Sequence, residues 1–206
     1  MDLFQHFADF KLDVLKEVGN IGAGNAATAL SRLIDKPVEM AVPTVSMVPF
    51  EEIADRVGGP EQIVVAVFLR VEGEAPGNMF FIIKTESAKR LLHRLLSFEV
   101  ESEHGYSEME YSALSEIGNI LAGSYLSSLA DFTKLSMSPT VPSIAVDMAG
   151  AVLSYGLLQF GEMGDDALLI DTTFVEGSEE MSGNFFLIPD PESFEKIFKA
   201  LGVPVE

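Results

Sequence analysis

Two short stretches carry side chains whose types and spacing could do chemistry. In the first, Asp13, Glu17 and Asn20 are followed by Gly24. In the second, ninety-nine residues on, Ser112, Glu116 and Asn119 are followed by Gly123. Residues three and four apart share one face of a helix, so each set forms a single polar stripe. The stripe offers an acid, an amide and a small residue. An amide accepts a hydrogen bond through its oxygen, donates through its nitrogen and needs no shifted pKa to do either. A proline follows each asparagine at the same distance, Pro43 and Pro142. The full pattern is Asp/Ser-x3-Glu-x2-Asn-x22-Pro, present twice. One such Glu-x-x-Asn pair is ordinary helix surface. Duplication of a core explains repeated glycines and apolar residues, but gives no structural reason to keep an acid and an amide on the outward stripe.

The elements that must position these residues are long helices. Residues 3–34 read as one, with an apolar stripe through Leu3, Phe7, Phe10, Val14, Val18 and Ile21. Gly19, Gly22 and Gly24 weaken it by about 1 kcal/mol each against alanine, a cost accepted where another backbone comes close. Asp35-Lys36-Pro37 ends it. The second long helix runs to about Lys134, with Leu114, Ile117 and Leu121 as its apolar side. Ser107 and Glu110 have the spacing of a capping box at its start.

Between and after them, residues 38–49 read as extended, 51–57 as a short helical turn, and 62–71 and 78–84 as a hairpin. Residues 86–96 return to helical spacing, and 98–107 form a polar, acidic connection. Residues 143–150 fit either a short helix or a strand. Residues 151–160, 167–175 and 184–188 read as strands and 192–201 as a closing helix. GNMFFII from Gly77 matches GNFFLIP from Gly183. The fold class is therefore α+β: a duplicated helix–strands–helix unit, long helices on a mainly antiparallel sheet, related by a pseudo-twofold axis. Residues 1–206 are read as one domain of two repeats, 1–100 and 101–206.

Composition narrows the function. At 48% hydrophobic the chain can fill a core, and its net charge of −19 argues against nucleic acid or an anionic membrane as partner. There is no cysteine, which excludes disulfides, zinc–thiolate sites and thiol nucleophiles. No apolar run approaches a membrane span and the N-terminus lacks a basic leader, so a cytoplasmic protein is expected. Gly22-x-Gly24-x-x-Ala27 fits the dinucleotide fingerprint, but helical residues precede it where a strand is needed. His6, His93 and His104 show no metal-ligand spacing.

The doubled motif, with GNIGAGNAA in one copy and GNILAGS in the other, resembles the CheC family of bacterial chemotaxis over essentially the whole chain. Relatives of that family are CheX and the middle domains of FliM and FliY; an end at Glu206 fits a stand-alone member without a switch domain. The resemblance implies hydrolysis of the aspartyl phosphate of CheY. Glu17 and Glu116 would then contact the regulator, and Asn20 and Asn119 would reach its active site and orient water. Asp13 and Ser112 lead each motif as partner contacts. No cofactor of its own is implied, the Mg2+ being CheY's. The family also binds the receptor deamidase CheD, with residues 143–150 as the expected contact and Asp147 as the candidate within it. The alternatives are a non-enzymatic CheD-binding adaptor and a flagellar switch scaffold.

Overall fold

The computed structural model describes residues 3–42, 44–96, 105–160, 166–176 and 179–202. Helix α1 (Leu3–Ile34) leads to β1 (Glu39–Ala41) and β2 (Val45–Pro49), then a single 3-10 turn and the short α2 (Ile53–Arg56). The hairpin β3 (Ile63–Gly73) and β4 (Gly77–Lys84) precedes α3 (Thr85–Leu96). The second half runs α4 (Glu108–Thr133), β5 (Met137–Pro139), β6 (Ser143–Met148), α5 (Ala149–Phe160), β7 (Asp166–Glu176), β8 (Glu179–Pro189) and α6 (Pro191–Ala200). The side chains of Leu3, His6, Phe7 and Phe10, together with Pro43 and residues 97–104, lie outside the described residues.

All strand pairs are antiparallel in one sheet of order β1-β7-β8-β4-β3-β5, with β2 also on β7 and β6 also on β3. The order reads the same from either end. Each half sends its first strands to the hairpin of the other half. At the centre Phe80 pairs with Phe186, and these two are separated by the same 106 residues as Gly77 and Gly183. Equivalent residues thus meet across the middle of the sheet, as copies do at a twofold dimer contact.

Strand β3 is apolar on both faces, so both must be covered. Val65, Val67, Leu69 and Val71 face a core shared with α1, α3 and α4. Val64, Ala66 and Phe68 face a second core with Ile53 and Val57. Helix α5 closes this second core through Ala149, Val152 and Leu153. Here the structure corrects the sequence reading, in which 151–160 was a strand. A run this apolar has no period that separates helix from strand. What decides is packing: buried residues at 149, 152 and 153 have helical spacing, and Tyr155 sets its ring edge against Phe68 at 6.0 Å. Residues 143–148 resolve as strand, and Ala149 and Gly150 turn the chain into α5 with their N–H groups on Gln62 and Pro60 carbonyls.

The helix ends follow local rules. Ser107 Oγ accepts from Glu110 N at 3.3 Å and Ser107 N donates to Glu110 Oε2 at 2.6 Å, the expected capping box. Helix α1 gives way at Asp35 and α4 at Lys134, both left-handed at φ 53° and 59° and ninety-nine residues apart.

Helices α1 and α4 cross where Gly22 has no side chain. A Cβ there would lie 2.8 Å from Tyr125 Cδ1 and 3.0 Å from Tyr125 Cα. Tyr125 packs on Phe185 at 4.9 Å and its hydroxyl shares a hydrogen bond of 3.0 Å with Thr172. Burial pushes its pKa from an ordinary 10 up to about 12, against the Thr172 hydrogen bond, which pulls it down. A pKa raised by folding stabilises the protein fully below the unfolded value and loses that stability as pH climbs through the folded one. The unfolding free energy from urea melts is therefore expected to fall between pH 10 and 12, by about 2 kcal/mol from this residue. In Tyr125→Phe that alkaline loss should shrink.

Candidate functional site

Burial of one seam turns the polar stripes outward. On α1 Leu15, Val18, Gly22, Ala26 and Leu30 are buried; on α4 Leu114, Ile117, Gly118, Leu121 and Tyr125 are. Steps of three and four keep each seam on one face. The stripes lie on the other side: Asp13, Glu17, Asn20 and Gly24 are exposed, as are Ser112, Glu116 and Asn119, with Gly123 half-buried. A Cβ at Gly24 or Gly123 would meet nothing within 4 Å, so neither glycine serves internal packing.

One residue of the predicted apolar stripe is misplaced. Ile21 is 40% exposed, beside Asn20, because the seam follows Val18 and Gly22. Its counterpart Ile120 is half-buried.

The two asparagines differ in how they are held. Asn20 Oδ1 accepts the backbone N–H of Val42 at 3.2 Å. Val42 is 2% exposed and lies over Gly19, where a Cβ would come within 3.5 Å of it. The chain therefore returns to the asparagine at the residue before Pro43. The second copy keeps the Asn-to-proline spacing without this contact. Val141, the residue before Pro142, is 89% exposed, and the Asn119 side chain has no hydrogen-bond partner among the described residues. In both cases the amide nitrogen and at least one oxygen lone pair stay open to solvent.

Asp147 stands apart from both stripes. It lies exposed on β6, opposite Val64, with Oδ1 accepting Met148 N at 2.7 Å. Among the described residues β6 pairs with β3 alone and offers its other side as a free edge. Gly22 to Ala27 sit inside α1, so the fingerprint-like glycines form no phosphate-binding turn. No three His, Asp or Glu side chains converge among the described residues to hold a metal. No helix among them is long and apolar enough to cross a membrane.

Known proteins resemble this chain in sequence and in fold. The CheC-like family model matches the chain twice, at residues 10–47 and 109–146, and each match spans one stripe and its proline. The CheY-P phosphatase CheC of Bacillus subtilis is 42% identical over 207 residues, covering 98% of this chain and 99% of that protein. The chain belongs to the CheC-like family. Solved structures extend the CheC-like fold further. FliY from Thermotoga maritima superposes with a TM-score of 0.72 at 19% identity, over 93% of this chain and 96% of that one. A chain of the FliM–SpeE complex from H. pylori gives 0.69 at 17% identity, over 93% and 94%. At such identities the likeness speaks for the fold.

Proposed function

We propose that this protein hydrolyses the aspartyl phosphate of phosphorylated CheY in the cytoplasm, using Asn20 and Asn119. The observation that carries the reading is the pair of outward Glu–Asn stripes, in a chain 42% identical to a CheY-P phosphatase over nearly its whole length. An acyl phosphate is already activated, and its cleavage needs a positioned water more than added covalent chemistry. A neutral amide is suited to hold that water, since its oxygen accepts from the water and its nitrogen can donate to the phosphoryl group. A carboxylate there would repel the phosphoryl oxygens. Glu17 and Glu116, one turn earlier, are free to pair with a cation of the regulator and set the docking, with Asp13 and Ser112 extending the contact. The Mg2+ of this reaction is the regulator's, and this chain is proposed to supply no ligand to it.

The direct test follows the decay of 32P-labelled CheY-P with and without the protein; a rate no faster than spontaneous decay rejects the reading. Ile21 supplies a second test. Ile21→Asp should raise the KM for CheY-P about fivefold with little change in kcat, since it removes a docking contact and leaves the amides in place.

A second role is compatible with the first. The free edge of β6 and the exposed Asp147 support residues 143–150 as the contact for CheD. Asp147→Lys is expected to abolish co-purification with CheD while leaving CheY-P hydrolysis at its wild-type rate. Retained CheD binding would remove Asp147 from that surface. Capture of motor-ring proteins in place of CheD would favour the scaffold reading.

A further inference from the structure

The Val42 contact raises the question of what holds Val42. Strands β1 and β2 both pair with β7, and Val42 and Thr44 lie between them in the chain. Thr44, two residues past Val42, is fastened to Asp171 on β7. Its carbonyl accepts Asp171 N at 3.1 Å, and its hydroxyl donates to Asp171 Oδ2. Asp171 is held in turn from β8, where Asn184 Nδ2 donates to Oδ1 at 2.8 Å. Hydrogen bonds thus run from Asn184 through Asp171 to Thr44, two residues along the chain from the Val42 N–H.

The other half breaks this arrangement. By register Arg70 occupies the place of Asp171, since Arg70 pairs with Asn78 as Asp171 pairs with Asn184. Arg70 still donates from Nη1 to Asn78 Oδ1 at 3.3 Å, but its guanidinium is committed to Asp190, with Nη1 and Nη2 on the two carboxylate oxygens. The hydroxyl of Thr140 accepts the Arg70 backbone N–H at 3.1 Å. Val141 then stands 89% exposed and Asn119 is left without a backbone donor among the described residues.

We infer that Asp171 and Thr44 are positioning residues for Asn20: they hold the Val42 N–H against its amide oxygen and so fix the first site in a way the second lacks. The inference rests on the proposed role of Asn20 and adds that its orientation is set from the other half of the chain. A fixed amide is ready for the water before the partner arrives, whereas Asn119 must be ordered on docking.

The test separates the sites. In an Asn119→Ala background only the first site works, and in an Asn20→Ala background only the second. Asp171→Ala is expected to lower kcat of the first background about tenfold with KM unchanged, and to leave the second at its own rate. Asp171→Asn, which keeps an acceptor for Asn184 and a partner for Thr44, should restore the first. Hydrogen exchange of the Val42 amide, followed by NMR, should speed up in Asp171→Ala and return in Asp171→Asn. An unchanged Val42 exchange, an unchanged first-site kcat, or an equal fall in both backgrounds each overturns the inference. Should the Asn20→Ala, Asn119→Ala protein hydrolyse CheY-P like wild type, the hydrolytic reading falls, and Val42 exchange still decides whether the clamp exists.

Discussion

Replacing Asn20 and Asn119 together by alanine is expected to slow the catalysed loss of phosphate from CheY about 100-fold or more. The size follows from how little else either site contains. Each stripe presents one amide beside its acid. The single variants should lose only the share of their own site, because the stripes lie on different helices. Their stabilities should differ as well. Asn20→Ala removes the acceptor of the buried Val42 N–H and should cost about 1 kcal/mol. Asn119→Ala removes no internal bond among the described residues and should cost nothing measurable. Stopped-time decay of labelled CheY-P and a urea melt on each variant read both effects. Wild-type decay in the double variant would end the enzymatic account.

A large stability effect should come from the residue before Asn119. A Cβ at Gly118 would lie 2.4 Å from Val67 Cγ1 and 2.7 Å from its Cβ. Val67 is 4% exposed on β3, bonded to β4 on one side and β6 on the other, and cannot retreat. Gly118→Val should therefore destabilise the protein by about 3 kcal/mol, overpacking outweighing the gain in helix propensity. Gly123→Ala, on the same helix with open space around it, should instead stabilise by about 1 kcal/mol. Adding Val67→Ala to Gly118→Val should recover part of the loss, the signature of a shared contact. Because Gly118 adjoins Asn119, any protein that folds should be impaired at the second site more than at the first. Equal stability of Gly118→Val and wild type would mean that α4 does not rest on β3 as described.

Much of this was legible in the residues alone. The outward stripes were, because a helix repeats every three to four positions and the buried seam beside each stripe is plainly apolar. The doubling was, because the matching runs from Gly77 and from Gly183 lie on β4 and β8, which pair with each other. Three features were not. Helix α5 hides in a run apolar enough for either structure, and only the uncovered second face of β3 selects helix. The exposure of Ile21 depends on whether the seam follows Val18 to Ile21 or to Gly22, one residue's rotation that α4 decides by pressing on Gly22. The hold on Asn20 needs Val42, and Thr44 bonded to Asp171, brought together only because each half lends its first strands to the other.

That exchange of strands has a consequence for the order in which the protein comes into being. On a ribosome adding about 5–20 residues per second, Thr44 emerges on the order of ten seconds before Asp171. Until β7 and β8 follow, β1 and β2 of the nascent chain have no sheet to join, and their backbone stays open to mispairing with other polypeptides. The N-terminal site, translated first, is thus the later of its parts to mature, and long-range pairing of this kind slows folding as a whole.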